Sequence, residues 1–254
     1  MRALLRSGLL WSGIAIVTLT AFLVAFSTSI FTLPFDRRRL FAGRWPGIWA
    51  KAVVRVNPAW SAHVDARRLP RHGHYVIVSN HQSLGDIIIN LHLPHIFKFI
   101  AKQSVFRVPF LGWYIRMSGM IPVERGNKHS IARCLEKARS WLDKGASVLL
   151  YPEGTRSADG EIKSFKHGAF KLAVQAGVPI LPILVDGAAD LLPKNSFYFS
   201  TKKTPMRLVV GDAIPVNGLS LEDVPALAER AREAIISMQR ELRGLPAEGL
   251  RKAS

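Results

Sequence analysis

Short apolar runs alternate with longer amphipathic stretches over most of the chain. Six runs of four to six residues have the length and apolar character of buried strands. They lie at residues 75–78, 97–101, 120–123, 147–151, 180–185 and 207–210. The stretches between them have helical spacing. This alternation predicts an α/β domain with a largely parallel central sheet flanked by helices.

Two of the helical stretches are especially clear. One carries an apolar stripe with helical spacing, formed by Ile131, Cys134, Leu135, Ala138 and Leu142. Because Cys134 lies on this stripe, we expect its thiol to be a small buried hydrophobic group. The other is a C-terminal helix over residues 221–242, with acidic residues in its first turn. The last residues, 246–254, are predicted to be a flexible tail.

The N-terminus differs from the rest of the chain. Residues 8–35 contain no charged side chain, whereas Arg2 and Arg6 precede them and arginines follow at residues 37–39. A helix needs about 20 apolar residues to cross a membrane, so residues 1–35 are predicted to be a membrane-anchoring helix. A cleaved signal peptide is the alternative. It is disfavoured because its apolar region is usually ~7–15 residues, and because Ala25-Phe26-Ser27 matches a cleavage site poorly.

Basic residues near this segment predict its orientation. Two precede it and four follow within ten positions, namely Arg37, Arg38, Arg39 and Arg44. The positive-inside bias therefore predicts an inner (cytoplasmic) membrane protein in which the bulk of the chain, the domain after the anchor, faces the cytoplasm. The single cysteine, which cannot form an internal disulfide, agrees with that side.

Residues 36–74 are predicted to be a basic connecting segment. Within it, Trp45 and Trp49 alternate with basic side chains. Two interpretations stay open: an interfacial helix that lies on the membrane, or a domain helix with tryptophans in the core. The α/β domain itself is predicted to span residues 75–245.

The net charge restricts the partners. The chain has 35 basic and 18 acidic residues, which gives a net charge of +17. Such a charge indicates an anionic partner: nucleic acid, a membrane surface or a phosphorylated substrate. The apolar N-terminus favours the membrane and a lipid substrate, and we expect no nucleic acid partner.

One polar turn follows the first predicted strand and contains His81 and Asp86. A carboxylate that accepts a proton from one imidazole nitrogen fixes the tautomer and leaves the other nitrogen to act as a general base. Residues five apart lie about 140° apart on a regular helix, so the two side chains meet only across a distorted turn. Gly85 is predicted to permit that distortion.

Three further clusters follow later strands. They are residues 119–125, which end in Arg125, the stretch Glu153-Gly154-Thr155-Arg156, and the apolar residues 178–182. With His81 and Asp86 they form, in order, a pattern that resembles the glycerolipid acyltransferases, the family of 1-acyl-sn-glycerol-3-phosphate acyltransferase. The resemblance covers about residues 75–185.

The resemblance implies an O-acyltransferase that moves a fatty acyl group to the sn-2 hydroxyl of lysophosphatidic acid in phospholipid biosynthesis. The donor would be acyl-CoA or acyl carrier protein, with no further cofactor. His81 and Asp86 would be catalytic, and Lys102 would be a candidate oxyanion donor. Phosphate-binding residues would be Arg125, Glu153, Gly154, Thr155 and Arg156.

Other interpretations stay open from the sequence. The acceptor could be another lysolipid, such as a lyso-ornithine lipid. More remotely, the charge and the anchor could belong to a non-enzymatic protein that binds anionic membranes or nucleic acid. The remaining histidines lack convincing ligand spacing, so no metal site is predicted.

Overall fold

The computed structural model describes residues 2–32, 34–36, 38–83, 85–157, 160–191, 198–200 and 202–245. The predicted tail, 246–254, lies outside these residues. The helices, in chain order, are α1 (Arg2–Thr32), α2 (Leu40–Arg55), α3 (Gly85–Asn90), α4 (Leu111–Met117), α5 (Lys128–Asp143), α6 (Gly168–Ala176) and α7 (Val224–Arg243). Short 3₁₀ turns cover Gln103–Arg107 and Ala188–Asp190.

Seven strands form one sheet. They are β1 (Trp60–Asp65), β2 (Val76–Ser79), β3 (Phe97–Lys102), β4 (Ile121–Val123), β5 (Ser147–Leu150), β6 (Ile180–Asp186) and β7 (Thr204–Val210). Their order is β1-β7-β6-β2-β5-β3-β4. The pairs within the sheet are parallel except for β6 and β7, which are antiparallel. The predicted largely parallel α/β fold is confirmed.

The sheet is buried on both faces. Successive side chains of a strand point to opposite sides, so the central strands β6, β2 and β5 contribute to both cores. On one face Ile77 and Leu181 pack in a core that includes residues of α1 to α4. On the other face Val76, Val78 and Ile180 pack against α5, α6 and α7. Apolar residues on both sides explain why the strands read as continuous apolar runs.

Helix α5 follows the predicted stripe. Cys134, Ala138 and Leu142 are buried, and burial raises the pKa of the Cys134 thiol to about 11. Ile131, at the start of the stripe, is 41% exposed because it lies in the first turn, beyond the sheet. The thiol is therefore a buried hydrophobic group, as expected.

Strand β1 was not predicted. It pairs in parallel with β7, from Trp60 against Thr204 to Asp65 against Val209. The sheet therefore begins within residues 36–74, which were predicted to be a connecting segment. The signal was the alternation of apolar Trp60, Ala62 and Val64 with polar residues, a period of two that is typical of a half-buried strand.

Helix α1 is long and apolar enough to cross a membrane by length and composition, with a mean hydropathy of 2.2 over Leu4–Thr32. One of its faces packs on the rest of the protein. Trp49 Nε1 of α2 donates a hydrogen bond to Thr18 Oγ1 at 3.0 Å. Trp45 and Trp49 are partly buried against the core. Among the two interpretations of α2, these contacts favour the domain helix.

Candidate active site

His81 lies in the loop after β2, and Asp86 is the second residue of α3. His81 Nδ1 lies 2.7 Å from Asp86 Oδ2, and the Asp86 side chain is fully buried. The same oxygen accepts hydrogen bonds from Gln82 N at 2.6 Å and Ser83 N at 2.9 Å. With a carboxylate as its partner, Nδ1 carries the proton, which leaves Nε2 as an acceptor. This is the arrangement that a general base requires.

Gly85 does not have the expected role of permitting a distorted turn. Its φ is not positive, so it does not supply a left-handed turn. A Cβ at this position would lie 3.1 Å from Ala188 O, so glycine allows α3 to start close to that backbone. His81 and Asp86 meet because the imidazole precedes the helix, and the carboxylate turns back from the first helical turn onto the loop.

The stretch after β5 holds the backbone of His81. Glu153 Oε1 accepts a hydrogen bond from His81 N at 2.9 Å, and Ser157 N donates to His81 O at 2.8 Å. Two stretches that are far apart in sequence are therefore joined at His81, since β2 and β5 are neighbours in the sheet.

Glu153 contacts the His81 loop, and its predicted phosphate-binding role stays a prediction. It is buried, and burial raises the pKa of its carboxyl group, as does the nearby Asp86, whereas the hydrogen bond from the His81 backbone lowers it. Its Oε2 has no hydrogen-bond partner among the described residues. The contact that the structure shows for Glu153 is therefore one that positions the backbone of His81.

Tyr151 was missed by the sequence analysis. Its ring stacks on the His81 imidazole, with centroids 4.1 Å apart and planes 18° apart. Asn90 Nδ2 of α3 donates to the Tyr151 hydroxyl at 3.0 Å, and burial raises the pKa of that hydroxyl well above its ordinary value. The only signal in the sequence was an aromatic residue directly after β5.

Basic side chains gather at the same edge of the sheet. Burial and the charge of Arg156 lower the pKa of Arg125, so the two arginines lie close enough to interact. Lys102 ends β3, where it is paired with Val123, two residues before Arg125. The end of β3 is thus separated from the end of β2 by two strand spacings, about 10 Å, and the oxyanion role of Lys102 stays a prediction.

Lys166 is a further cation at this edge, and it is not among the predicted site residues. Gly154 has a φ of 72°, and a Cβ there would lie 2.7 Å from Lys166 Nζ. Glycine at this position therefore serves both the left-handed turn and the close approach of the lysine. Thr155, beside it, is exposed.

The basic residues lack neutralising partners in the part of the chain that the structure describes. Among the described residues, Lys102, Arg125, Arg156 and Lys166 form no ion pair with a carboxylate. The described residues also contain no cluster of three or more histidine, cysteine or acidic side chains that could hold a metal ion. Unpaired cations beside a buried imidazole leave this edge suited to an anionic ligand.

This edge of the sheet combines an imidazole that is bound to a buried carboxylate with several basic side chains, an arrangement that an enzyme can use for general-base chemistry on an anionic substrate. Residues 62–186 match the family model described as Acyltransferase. Over 243 residues the chain is 33% identical to the 1-acyl-sn-glycerol-3-phosphate acyltransferase CHLREDRAFT_174358 of Chlamydomonas reinhardtii, covering 92% of this chain and 70% of that protein. The chain belongs to this acyltransferase family, and the resemblance drawn from the four motifs is confirmed.

Two further similarities agree. The chain is 39% identical over 169 residues to the chloroplastic 1-acyl-sn-glycerol-3-phosphate acyltransferase BAT2 of Brassica napus, covering 65% of this chain and 48% of that protein. The chain thus spans about half the length of this plant relative. The crystal structure of the 1-acyl-sn-glycerophosphate (LPA) acyltransferase PlsC from Thermotoga maritima is similar with a TM-score of 0.76 at 25% identity, covering 97% of this chain and all of that one.

Proposed function

We propose that this protein transfers a fatty acyl group from a thioester to the sn-2 hydroxyl of lysophosphatidic acid, which gives phosphatidic acid. One observation carries the proposal: the His81 imidazole is bound to a buried carboxylate at a sheet edge that also carries unpaired cations. The similar proteins from Chlamydomonas reinhardtii and Thermotoga maritima are both named as acyltransferases of this acceptor, which supports the proposal.

The proposed reaction needs one proton acceptor and no covalent enzyme intermediate. His81 Nε2 removes the proton of the acceptor hydroxyl while the oxygen attacks the thioester carbonyl. The tetrahedral intermediate then expels the thiolate, which takes the proton back from the imidazolium. Asp86 orients the ring and stabilises its charged form, and general-base help of this kind is worth about 10²–10⁴ in rate.

Ser83 is not the nucleophile in this proposal. The side chain is buried, and Ser83 Oγ accepts a hydrogen bond from Gly85 N at 3.1 Å. Its backbone N–H is bound to Asp86. These contacts support a structural part for Ser83, which holds the start of α3.

The acceptor phosphate is proposed to bind Arg125 and Arg156. A guanidinium group is always charged and offers paired donors in a plane that fits phosphate oxygens. Lys102 and Lys166 extend the same positive edge. Acyl-CoA and acyl carrier protein are both anionic thioesters, so either is a suitable donor, and the reaction balances without a metal or another cofactor.

Membrane attachment is proposed to occur through α1, within one leaflet. Contacts with the globular part occur at Ser7 and Trp11, which touch Phe199, and at Phe22, whose ring lies 5.6 Å from that of Phe110. From residue 7 to residue 22 a helix rises about 22 Å. A helix held to the catalytic domain over most of a ~30 Å membrane core is better placed along the interface than across it.

The side of the membrane is proposed from charge. The arginines after α1 are attracted to the anionic lipids of the cytoplasmic leaflet, which places the catalytic domain on the cytoplasmic face of the membrane. A lyso-ornithine lipid or another lysophospholipid is the second candidate acceptor. The roles of His81 and Asp86 would be the same with either acceptor.

The acceptor is tested with arginine variants. Arg125→Ala and Arg156→Ala each remove a charge-assisted contact worth about 1.5–3 kcal/mol, so we expect kcat/KM for lysophosphatidic acid to fall about ten- to a hundredfold. Slow transfer to uncharged monoacylglycerol should change far less. Lysine at either position should restore part of the loss, because it supplies charge without the planar fork.

Equal losses for the charged and the uncharged acceptor would contradict the phosphate-binding proposal. Arg139→Ala is the matched control, since this arginine lies on α5 and pairs with Asp143 at 2.7 Å. A preference of the unaltered protein for a lyso-ornithine lipid would overturn the assignment of lysophosphatidic acid.

A further inference from the structure

An exposed aromatic surface lies next to the end of β3, outside the residues assigned to catalysis. Trp113 is 53% exposed, Val108 46% and Phe110 39%. We call the two aromatic residues together with Val108 the aromatic platform. Arg107 and Arg116, which flank them, are also exposed. Aromatic side chains with basic neighbours are typical of protein surfaces at a membrane interface.

The backbone that carries the platform is tightly folded. Phe106 is buried, and a Cβ on Gly112 would overlap with Phe106 O. Gly112 N donates to Val108 O at 2.7 Å. The segment is thus folded back on itself and held by the buried Phe106. Its exposed side chains therefore extend from an ordered backbone.

Phe110 has an unusual conformation. Its φ is 59°, in the left-handed region that a bulky side chain rarely adopts. Glycine would fit this backbone without strain, yet the chain has a phenylalanine that is more than a third exposed. A strained residue that offers an aromatic ring to the solvent indicates that the ring is used.

The platform is continuous with α1. The Phe22 ring lies 5.6 Å from the Phe110 ring and 5.8 Å from the Trp113 ring. Large apolar side chains of α1 are exposed beside this contact, including Leu19, Leu23 and Phe26. The apolar face of the proposed anchor therefore extends onto the catalytic domain.

We propose that the aromatic platform is a second membrane contact, which inserts Phe110 and Trp113 into the interfacial region of an anionic bilayer. Arg107 and Arg116 face the lipid phosphates. Because Lys102 ends the strand that leads into this segment, the contact sets the phosphate-binding edge against the leaflet. A lysolipid then reaches His81 by lateral movement, without leaving the membrane.

The test uses the full chain and vesicles of phosphatidylcholine with phosphatidylglycerol. Phe110→Gly, which suits the backbone, and Trp113→Ser should together lower vesicle partitioning about tenfold, while thermal stability is retained. Leu221→Ser is the matched control. It removes a side chain that is 50% exposed, on the loop after β7, which lies at the opposite edge because β7 is antiparallel to β6. Its partitioning should equal that of the unaltered protein.

A second measurement reports on the contact itself. Lipids brominated near the head group should quench the Trp113 emission, seen as the difference between the unaltered protein and Trp113→Phe. Unquenched Trp113 together with unchanged partitioning overturns the proposal. A change in oligomeric state on double substitution, with partitioning unchanged, also overturns it, because the platform then binds a second copy of the chain.

Activity separates this inference from the proposed function, on which its lysolipid-delivery step rests. The double variant should acylate a water-soluble short-chain lysophosphatidate at the rate of the unaltered protein, and a vesicle-embedded one several-fold more slowly. Equal rates on embedded substrate contradict the delivery step. If the unaltered protein acylates neither, the proposed function fails, while quenching and partitioning still decide whether the platform contacts lipid.

Discussion

The His81 imidazole is held on several sides by different parts of the chain. Asp86 binds Nδ1, Glu153 binds the backbone N–H, and Tyr151 covers one face of the ring. The aromatic face also favours the charged imidazolium, which forms when the acceptor hydroxyl loses its proton. Tyr151 is therefore expected to position the base and to stabilise it in the transition state.

Two substitutions of Tyr151 separate these contributions. Tyr151→Phe keeps the stacked ring and loses only the bond from Asn90, so kcat should stay within about threefold. Tyr151→Leu loses the stacking, which is worth ~0.5–2 kcal/mol, and should lower kcat about three- to thirtyfold. A kcat retained in Tyr151→Phe and lost in Tyr151→Leu assigns the effect to the stacked ring, whereas a general structural defect would lower kcat in both variants. A full rate in Tyr151→Leu would contradict any contribution of the stacked ring.

At this scale the sequence indicates some contacts and not others. His81 and Asp86 were found because both lie in one turn after a predicted strand. The bonds from Glu153 and the stacking of Tyr151 depend on β5 lying beside β2, and strand order is not encoded in local spacing. Glu153 was consequently assigned to the substrate, although its Oε1 binds the neighbouring loop.

Among the elements, the junction between α2, β3 and α4 contains a buried cation. Lys98 of β3 is fully buried, and its Nζ donates to Arg39 O at 2.8 Å and Ser118 O at 3.1 Å. Arg39 Nη1 in turn donates to Arg116 O and Met117 O at the end of α4. These bonds fasten the start of α2 to the catalytic domain.

The junction should make stability depend on pH. Burial, together with the charge of Arg39, lowers the pKa of Lys98 to about 8 against an opposing effect of Asp36. Between pH 8 and about 10 the unfolded chain binds more protons here than the folded one, so this group raises the free energy of unfolding as pH rises, by at most about 3 kcal/mol.

Denaturant unfolding of the unaltered protein and of Lys98→Met, measured between pH 8 and about 10, tests whether the free energy of unfolding rises with pH as expected. The difference in unfolding free energy, unaltered protein minus variant, should increase from pH 8 to pH 10. Lys144→Met is the control, because Lys144 is an exposed lysine whose Nζ lies 4.9 Å from the centroid of the Trp141 ring. A difference that stays constant with pH would contradict a lowered pKa at Lys98.

Element boundaries show why β1 escaped prediction. Its alternation of apolar and polar residues is typical of an edge strand with one buried face, whereas the other strands were recognised as continuous apolar runs. Strand β7 was predicted to begin at residue 207 but begins at Thr204, because its first residues alternate in the same way. Continuous apolar runs are readily recognised as strands, whereas a short alternation of apolar and polar residues at a sheet edge is not.

Over the whole molecule, charge and apolar surface occur together. The net charge of +17 includes the unpaired cations at the carboxyl edge of the sheet, next to the aromatic platform and α1. The sequence indicated a membrane and an anionic lipid from charge and the apolar N-terminus alone. It could not indicate that α1 packs on the catalytic domain, since that contact joins Ser7 to Phe199, 192 positions apart.

We propose that His81, oriented by Asp86, is the general base in the transfer of an acyl group from a thioester to lysophosphatidic acid. The most direct measurement incubates the full chain with lysophosphatidic acid and either acyl-CoA or acyl carrier protein, and follows both thiol release and phosphatidic acid by mass spectrometry. We expect equal amounts of the two products. His81→Ala should lower the rate by about 10²–10⁴ with its fold intact, and Asp86→Asn should leave an intermediate rate. A His81→Ala rate close to that of the unaltered protein, or no phosphatidic acid with either donor, would contradict the account.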